Sequence, residues 1–180
     1  MTDKFPVLTF GATPQIDLEK WRLRIFGLVE REVELSWQEF EDIPKTVVEA
    51  PFHCVTQWSR LGNTWEGLLF TELASLVQPK LEANFVMVHC YGDYSANLPL
   101  DVLMDGLALL AHKHDGTLLT PQHGWPLRLV VPQRYGWKSA KWVQAIEFMA
   151  ADRPGFWEAR GYHNNGDYWK EERFWPELMG

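Results

Sequence analysis

The chain is poor in cysteine: of its 180 residues only Cys54 and Cys90 carry thiols. Two cysteines cannot close a structural zinc site without histidines or carboxylates, and they fall short of an iron–sulfur ligand set. Basic charge is scarce too, with 17 Lys and Arg against 24 Asp and Glu and a net charge of −7. That balance removes the broad positive surface needed to hold nucleic acid or anionic lipid without specificity, so any anion site must be local. No window approaches the roughly 18 apolar residues of a membrane span, and the opening "MTDKFPVLTFGATPQ" lacks the basic start and apolar run of a secretory signal. The expectation is a cytoplasmic protein with no nucleic-acid and no membrane partner, in which a Cys54–Cys90 disulfide is disfavoured. The sequence also has no G-x-x-x-x-G-K-[ST], H-E-x-x-H or C-x-x-C motif.

What the chain does contain suits one domain over residues 1–180. In "WRLRIFGLV", Trp21, Leu23 and Ile25 alternate with Arg22 and Arg24, the period of a half-buried strand. Ser36 and Glu39 stand at capping-box spacing, which predicts a short helix ending before Pro44. "KTVVEAPFHCVT" reads as a strand interrupted at Pro51 that delivers Cys54 near its end. "TELASLVQP" reads as a two-turn helix, and "FVMVHC" as a strand carrying Cys90 at its far end. The apolar stretch from Asp105 to His112 is predicted helical, with His112 and His114 in a solvated C-terminal turn. "PLRLVVP" and "KWVQAIEFMA" supply further strands. Many strands, short helices and no sustained βαβ spacing predict an α+β fold with mixed β-sheets. From Pro154 the character changes to alternating aromatics and charges, read as a C-terminal tail (154–180) packed on the main body. The 10 tryptophans and 10 phenylalanines are read first as core, and only then as surfaces for stacking a flat ligand.

Two stretches carry candidate chemistry. In "FHCVTQWS", Cys54 is a nucleophile, a buried small hydrophobe or a soft thiolate ligand to a metal. A nucleophile needs a nearby base, and His53, adjacent on an extended chain, points to the opposite face. Residue chemistry alone does not separate the other two. In "HGWPLRLVVPQRYGWKSAKW", Arg128, Arg134, Lys138 and Lys141 cluster around a glycine turn in an otherwise acidic protein. Guanidinium forks, ammonium groups and exposed N–H groups of a turn are what a phosphate site uses.

Together these stretches resemble the sulfite oxidase superfamily of molybdopterin enzymes. "CVTQWS" is similar to the C-V-x-x-W-S form of the molybdenum methionine sulfoxide reductases. "HGWPLRLVVPQRYGWKSAKW" is similar to the family's H/N-G-x-P-x-R-x-x-V-P-x-x-Y-G-x-K-x-x-K segment. The likeness runs from about Trp21 to Met149 and is greatest to the small stand-alone members. It implies a sulfite oxidase-type molybdopterin-binding fold and a molybdenum-molybdopterin cofactor with one pyranopterin and no appended nucleotide. It further implies that Cys54 is the thiolate ligand of molybdenum and the catalytic site residue. Arg128 and Lys141 would grip the cofactor phosphate, Ser139 and Ala140 would contribute backbone, and His123 and Cys90 would contact the pterin. Leu8 to Gly11 would cover the pterin, and Trp58 and Tyr135 would line the site. The implied reaction is two-electron oxygen-atom transfer on a small-molecule oxo substrate (a sulfoxide, a sulfite-like compound or an N-oxide). Electrons would be exchanged with a separate electron-transfer protein, because the chain carries no haem or iron–sulfur motif. The rival is a non-catalytic domain that binds or stores the cofactor. The arginine pair that follows the cysteine in sulfite oxidases is replaced here by Val55 to Ser59, leaving Arg60 as the nearby anion contact.

Overall fold

In a computed structural model, residues 1–2 and 5–175 are described. Ten strands and three short helices alternate along them: β1 Arg22–Gly27, β2 Val33–Ser36, α1 Trp37–Asp42, β3 Thr46–His53, β4 Ser59–Leu69, α2 Phe70–Val77 and β5 Phe85–Cys90 come first. They are followed by β6 Ser95–Pro99, α3 Leu100–Leu103, β7 Leu109–His114, β8 Thr117–Leu118, β9 Arg128–Val130 and β10 Val143–Met149. One sheet has the order β2-β1-β10-β5-β6 and is mixed, because β1 runs parallel to β10 while its other pairs are antiparallel. The second sheet, β3-β4-β7-β8 with β9 also on β7, is antiparallel throughout. This is the expected α+β architecture with mixed sheets and short helices.

Local chemistry explains the elements that the sequence foretells. Trp21, Leu23 and Ile25 are fully buried while Arg22 and Arg24 are exposed. The Ser36 hydroxyl accepts from the Glu39 N–H at 3.3 Å and the Glu39 carboxylate accepts from the Ser36 N–H at 2.8 Å, which starts α1 as a reciprocal cap. Helix α2 begins one residue ahead of "TELASLV" and ends on Gln78 in the left-handed region, φ 55°.

One expectation is overturned. Residues 109–114 are strand β7, and the helix in this region is confined to Leu100–Leu103. After it, the Asp105 carboxylate accepts from the N–H groups of Leu107 and Ala108 at 2.7 and 2.9 Å, closing a turn through Gly106 at φ 83°. The middle of the second sheet is buried on both faces: Leu68, Leu110 and Leu129 enter the main core, and Trp65, Leu109, Ala111 and Val130 enter a second cluster on the other side. A strand buried on both faces shows no alternation, so its apolar run imitates a helix. His112 and His114 are correspondingly strand residues, not a solvated turn. His112 Nε2 lies 3.2 Å from the Glu66 carboxylate, and the His114 ring stacks on Trp65 at 4.2 Å.

The second cluster positions the site. Arg128 and Val130 of β9 face it, together with Phe52 near the end of β3, and Phe5 and Trp58 pack over it.

Candidate functional site

Cys54 follows directly on β3, in a tight turn. Its N–H donates to the Trp58 carbonyl at 2.9 Å, its carbonyl accepts from the Gln57 N–H at 3.1 Å, and Gln57 adopts φ 70°. The Sγ lies 3.1 Å from the Thr56 hydroxyl. Although only 7% exposed, Cys54 borders two cavities, one of about 580 Å³ and one of about 390 Å³.

Of the predicted site residues, His123, Arg128, Ser139, Ala140 and Lys141 line the larger cavity with Cys54. Arg128 is 3% exposed and donates only to carbonyls, those of His123, Ser139 and Leu129 at 3.0, 2.9 and 3.5 Å. Its guanidinium lies between 5.3 and 5.8 Å from the ring centres of Phe52, Trp65 and Phe5. Burial pushes Arg128 down to about 10. Lys141 donates to the carbonyls of Leu8 and Gln122 at 2.7 and 2.8 Å. Burial and then the Arg128 charge push it down to about 7. Among the described residues no carboxylate lines this cavity, so two cations face it without a counter-charge. Gly124 permits the arrangement: at φ 110°, an added Cβ would stand 3.0 Å from the Arg128 Cβ and 3.1 Å from the Lys141 Cγ.

His123 bridges to the N-terminal segment. Its Nε2 lies 3.1 Å from the Phe5 carbonyl and its Nδ1 2.8 Å from the Thr120 hydroxyl. Because a carbonyl only accepts, Nε2 carries the proton, and burial lowers the ring's affinity for a second one. The Ser139 hydroxyl accepts from the Val131 N–H at 3.0 Å, its N–H donates to the Gly136 carbonyl at 3.1 Å, and the Ala140 carbonyl accepts from Leu129 at 2.8 Å. Both residues therefore hold the cavity wall in place. Leu8, Thr9, Phe10 and Gly11 also line the cavity, as does Trp58, whereas Tyr135 lines the smaller one.

Three expectations need correction. Cys90 does not line either cavity: it is 3% exposed in the main core, where burial pushes its thiol far up, and its neighbours Tyr91 and Gly92 reach the larger cavity instead. It has the surroundings of a small buried hydrophobe. The basic cluster divides. Lys138 is fully buried against Glu158 of the tail at 2.6 Å, and Arg134 lies 3.9 Å from Asp167. Arg60 is committed elsewhere, donating to Asp115 at 2.7 Å and Asn63 at 2.6 Å. Residues that sequence reasoning missed include five of the tail: Trp157 and Tyr162 on the larger cavity, and Tyr168, Glu171 and Arg173 on the smaller. Their only signal was the density of aromatics and charges after Pro154. Residues 176–180 of the expected tail lie outside the described residues.

Comparison with known proteins points to one family. The model of the oxidoreductase molybdopterin binding domain family matches residues 10–157. The chain is similar to an uncharacterized oxidoreductase, YuiH, of Bacillus subtilis, 43% identical over 97% of this chain and 88% of that one. It is also similar to the protein-methionine-sulfoxide reductase catalytic subunit MsrP of Campylobacter jejuni, 30% identical over 93% of this chain and 61% of that protein. Among solved structures, the sulfane dehydrogenase SoxCD of Paracoccus pantotrophus shares the fold, with a TM-score of 0.69 at 23% identity over 77% of this chain and 40% of that chain. Matched through most of its length by the family model and similar over nearly all of it to an uncharacterized oxidoreductase, the chain belongs to the oxidoreductase molybdopterin-binding domain family.

Proposed function

We propose that this chain is a molybdenum-dependent oxidoreductase that carries out two-electron oxygen-atom transfer on a small oxo compound. The substrate class is a sulfoxide, a sulfite-like compound or an N-oxide, and a separate electron-transfer protein closes the cycle. The carrying observation is that the Cys54 thiol borders the same cavity as Arg128 and Lys141, two cations with no carboxylate partner among the described residues.

The donor set fits the cofactor on its own chemistry. A cavity of about 580 Å³ is of small-molecule size. Its uncompensated cations call for an anionic terminus such as a phosphate, and a thiol suits a soft metal. Arg128 and Lys141 would hold the phosphate, Ser139 and Ala140 the wall beside it, His123 an edge of the ring system, and Cys54 the metal. When bound, the cofactor supplies a metal that changes oxidation state by two and exchanges an oxygen atom with substrate. The chain's own part is to bind, orient and exclude water. Phe5 and Trp58 pack beside Phe52 near the turn that presents the thiol, and the Thr56 hydroxyl lies against Sγ. We assign one pyranopterin without a nucleotide, and a cytoplasmic location that fractionation of native cells tests.

The expected outcome for purified protein from a cofactor-competent host is near-stoichiometric molybdenum and pterin. Arg128→Ala and Lys141→Ala should each lower pterin content, whereas Cys54→Ser should retain pterin and lose reduction of oxo compounds with a dye donor. Full activity in Cys54→Ser contradicts the ligand assignment. The second cavity, which also reaches Cys54, favours turnover over storage, because storage needs no further access to the thiol.

A further inference from the structure

The smaller cavity, about 390 Å³, is walled by Cys54 and His53, by Tyr135, and by Tyr168, Glu171 and Arg173 of the tail. Tyr168 stacks on the His53 ring at 3.8 Å, and the His53 Nδ1 lies 2.8 Å from the Ser59 hydroxyl, so that wall is fixed. Arg173 is the one Lys or Arg among the described residues lining it. Its Nη1 donates to the carbonyl of Val55, the residue next to Cys54, and its guanidinium lies 4.7 Å from the Tyr135 ring centre. The fork is thereby oriented beforehand, at 21% side-chain exposure.

Three donors meet at a single atom here. Arg173 Nε at 2.8 Å and the Tyr135 hydroxyl at 3.0 Å donate to Glu171 Oε2, and Arg173 Nη2 is ion-paired with the same oxygen at 2.8 Å. Burial and the bond to Glu171 push the Tyr135 phenol up to about 12, so it donates throughout the neutral range. The oxygen they hold belongs to a side chain that is 68% exposed, on a residue at φ 55°, a region costly for any residue but glycine. The donors, on buried Tyr135 and partly buried Arg173, are thus filled by a carboxylate whose own side chain is exposed.

We propose that this trio is the recognition site for an oxyanion substrate, with Glu171 occupying the place of the substrate oxygen until an anion displaces it. This rests on the reading of Cys54 as the metal-bearing residue, since Arg173 is pinned one residue from it. It also narrows the substrate class: an anionic oxo compound small enough for the cavity is preferred over a neutral sulfoxide or N-oxide. Because one anion takes the place of another, the buried face of Arg173 never lacks a counter-charge. The selective cation comes from the tail, not from Arg60 of the cysteine motif.

The test is a sodium sulfate titration of ¹⁵N-labelled protein followed by NMR, against sodium chloride at matched ionic strength. Sulfate should saturably shift the Arg173 Nε–H signal and the amides of Val55 and Glu171. Glu171→Gln should lower the midpoint and Tyr135→Phe should raise it, each by about tenfold, the effect of one charge-assisted bond. Arg173→Ala should abolish the response, with the Trp137 indole signal, bonded to Glu158 at 2.9 Å, reporting that the tail remains docked. Arg128→Ala should leave these signals responding. If they stay still, or if Glu171→Gln and Tyr135→Phe titrate like wild type, the proposal is overturned. The titration needs no metal. A sulfate response in protein that comes without molybdenum or pterin from a cofactor-competent host would therefore uphold the anion site while refuting the proposed function, and a molybdenum protein without the response would do the reverse.

Discussion

Cys54 and Cys90 are both more than nine-tenths buried, yet their surroundings differ. Cys90 sits among Trp21, Val88 and Val143 in the core, where its thiol stays protonated. Cys54 sits at a turn with a hydroxyl beside it and a cavity on either side. The strand endings that carry them look alike in sequence, and only the three-dimensional neighbours tell them apart. Lys141 shows the same dependence on context. In the folded chain with no anion bound it releases its proton near pH 7, against 10.5 ordinarily, because burial and Arg128 disfavour its charge. Between those values the unfolded chain holds more protons, so stability rises with pH across that window. An anion in the cavity restores the charge, with a proton taken up from solvent by the Lys141 Nζ. Sulfate binding read at the Ala140 and Lys141 amides should therefore weaken by up to about tenfold per pH unit above pH 7. A pH-independent affinity would show that Lys141 does not meet the anion.

At the level of elements, what was legible depended on whether one face met solvent. Strand β1 and helix α1 show their pattern because Arg22, Arg24 and the Ser36–Glu39 cap face water. Strand β7 was invisible because both of its faces are covered. Strands β4 and β7 approach closely where they cross: a Cβ on Gly67 would lie 2.0 Å from the Leu110 carbonyl oxygen, and the register shifts at that point. Gly67→Ala should destabilise the protein by about 3 kcal/mol. Urea unfolding measures this, and a change within about 0.5 kcal/mol would mean that the strands separate freely.

Over the whole molecule, the tail is bound to the body through charge. Glu158 Oε1 accepts from Lys138 at 2.6 Å and from the Trp137 indole at 2.9 Å, and Lys138 also donates to the Asn97 carbonyl at 2.7 Å. Two of the four basic residues grouped in sequence thus fasten the tail while the other two face the larger cavity. Spacing cannot show that division, because it depends on which residues the tail brings back. Glu158→Gln leaves a buried lysine without its counter-charge and should cost about 3–5 kcal/mol, with faster proteolysis after Pro154. Unchanged stability would refute the fastening role. Cys54, Arg128 and Lys141 were candidates through the two motifs and their resemblance to a family, whereas residue chemistry by itself left Cys54 open, and the tail's Tyr162 and Arg173 carried no motif. The most direct test of the account is molybdenum X-ray absorption on wild type and Cys54→Ser. Loss of one sulfur from the metal's coordination in the variant is the predicted result. An identical sulfur count in both proteins, or no molybdenum in either, would contradict it.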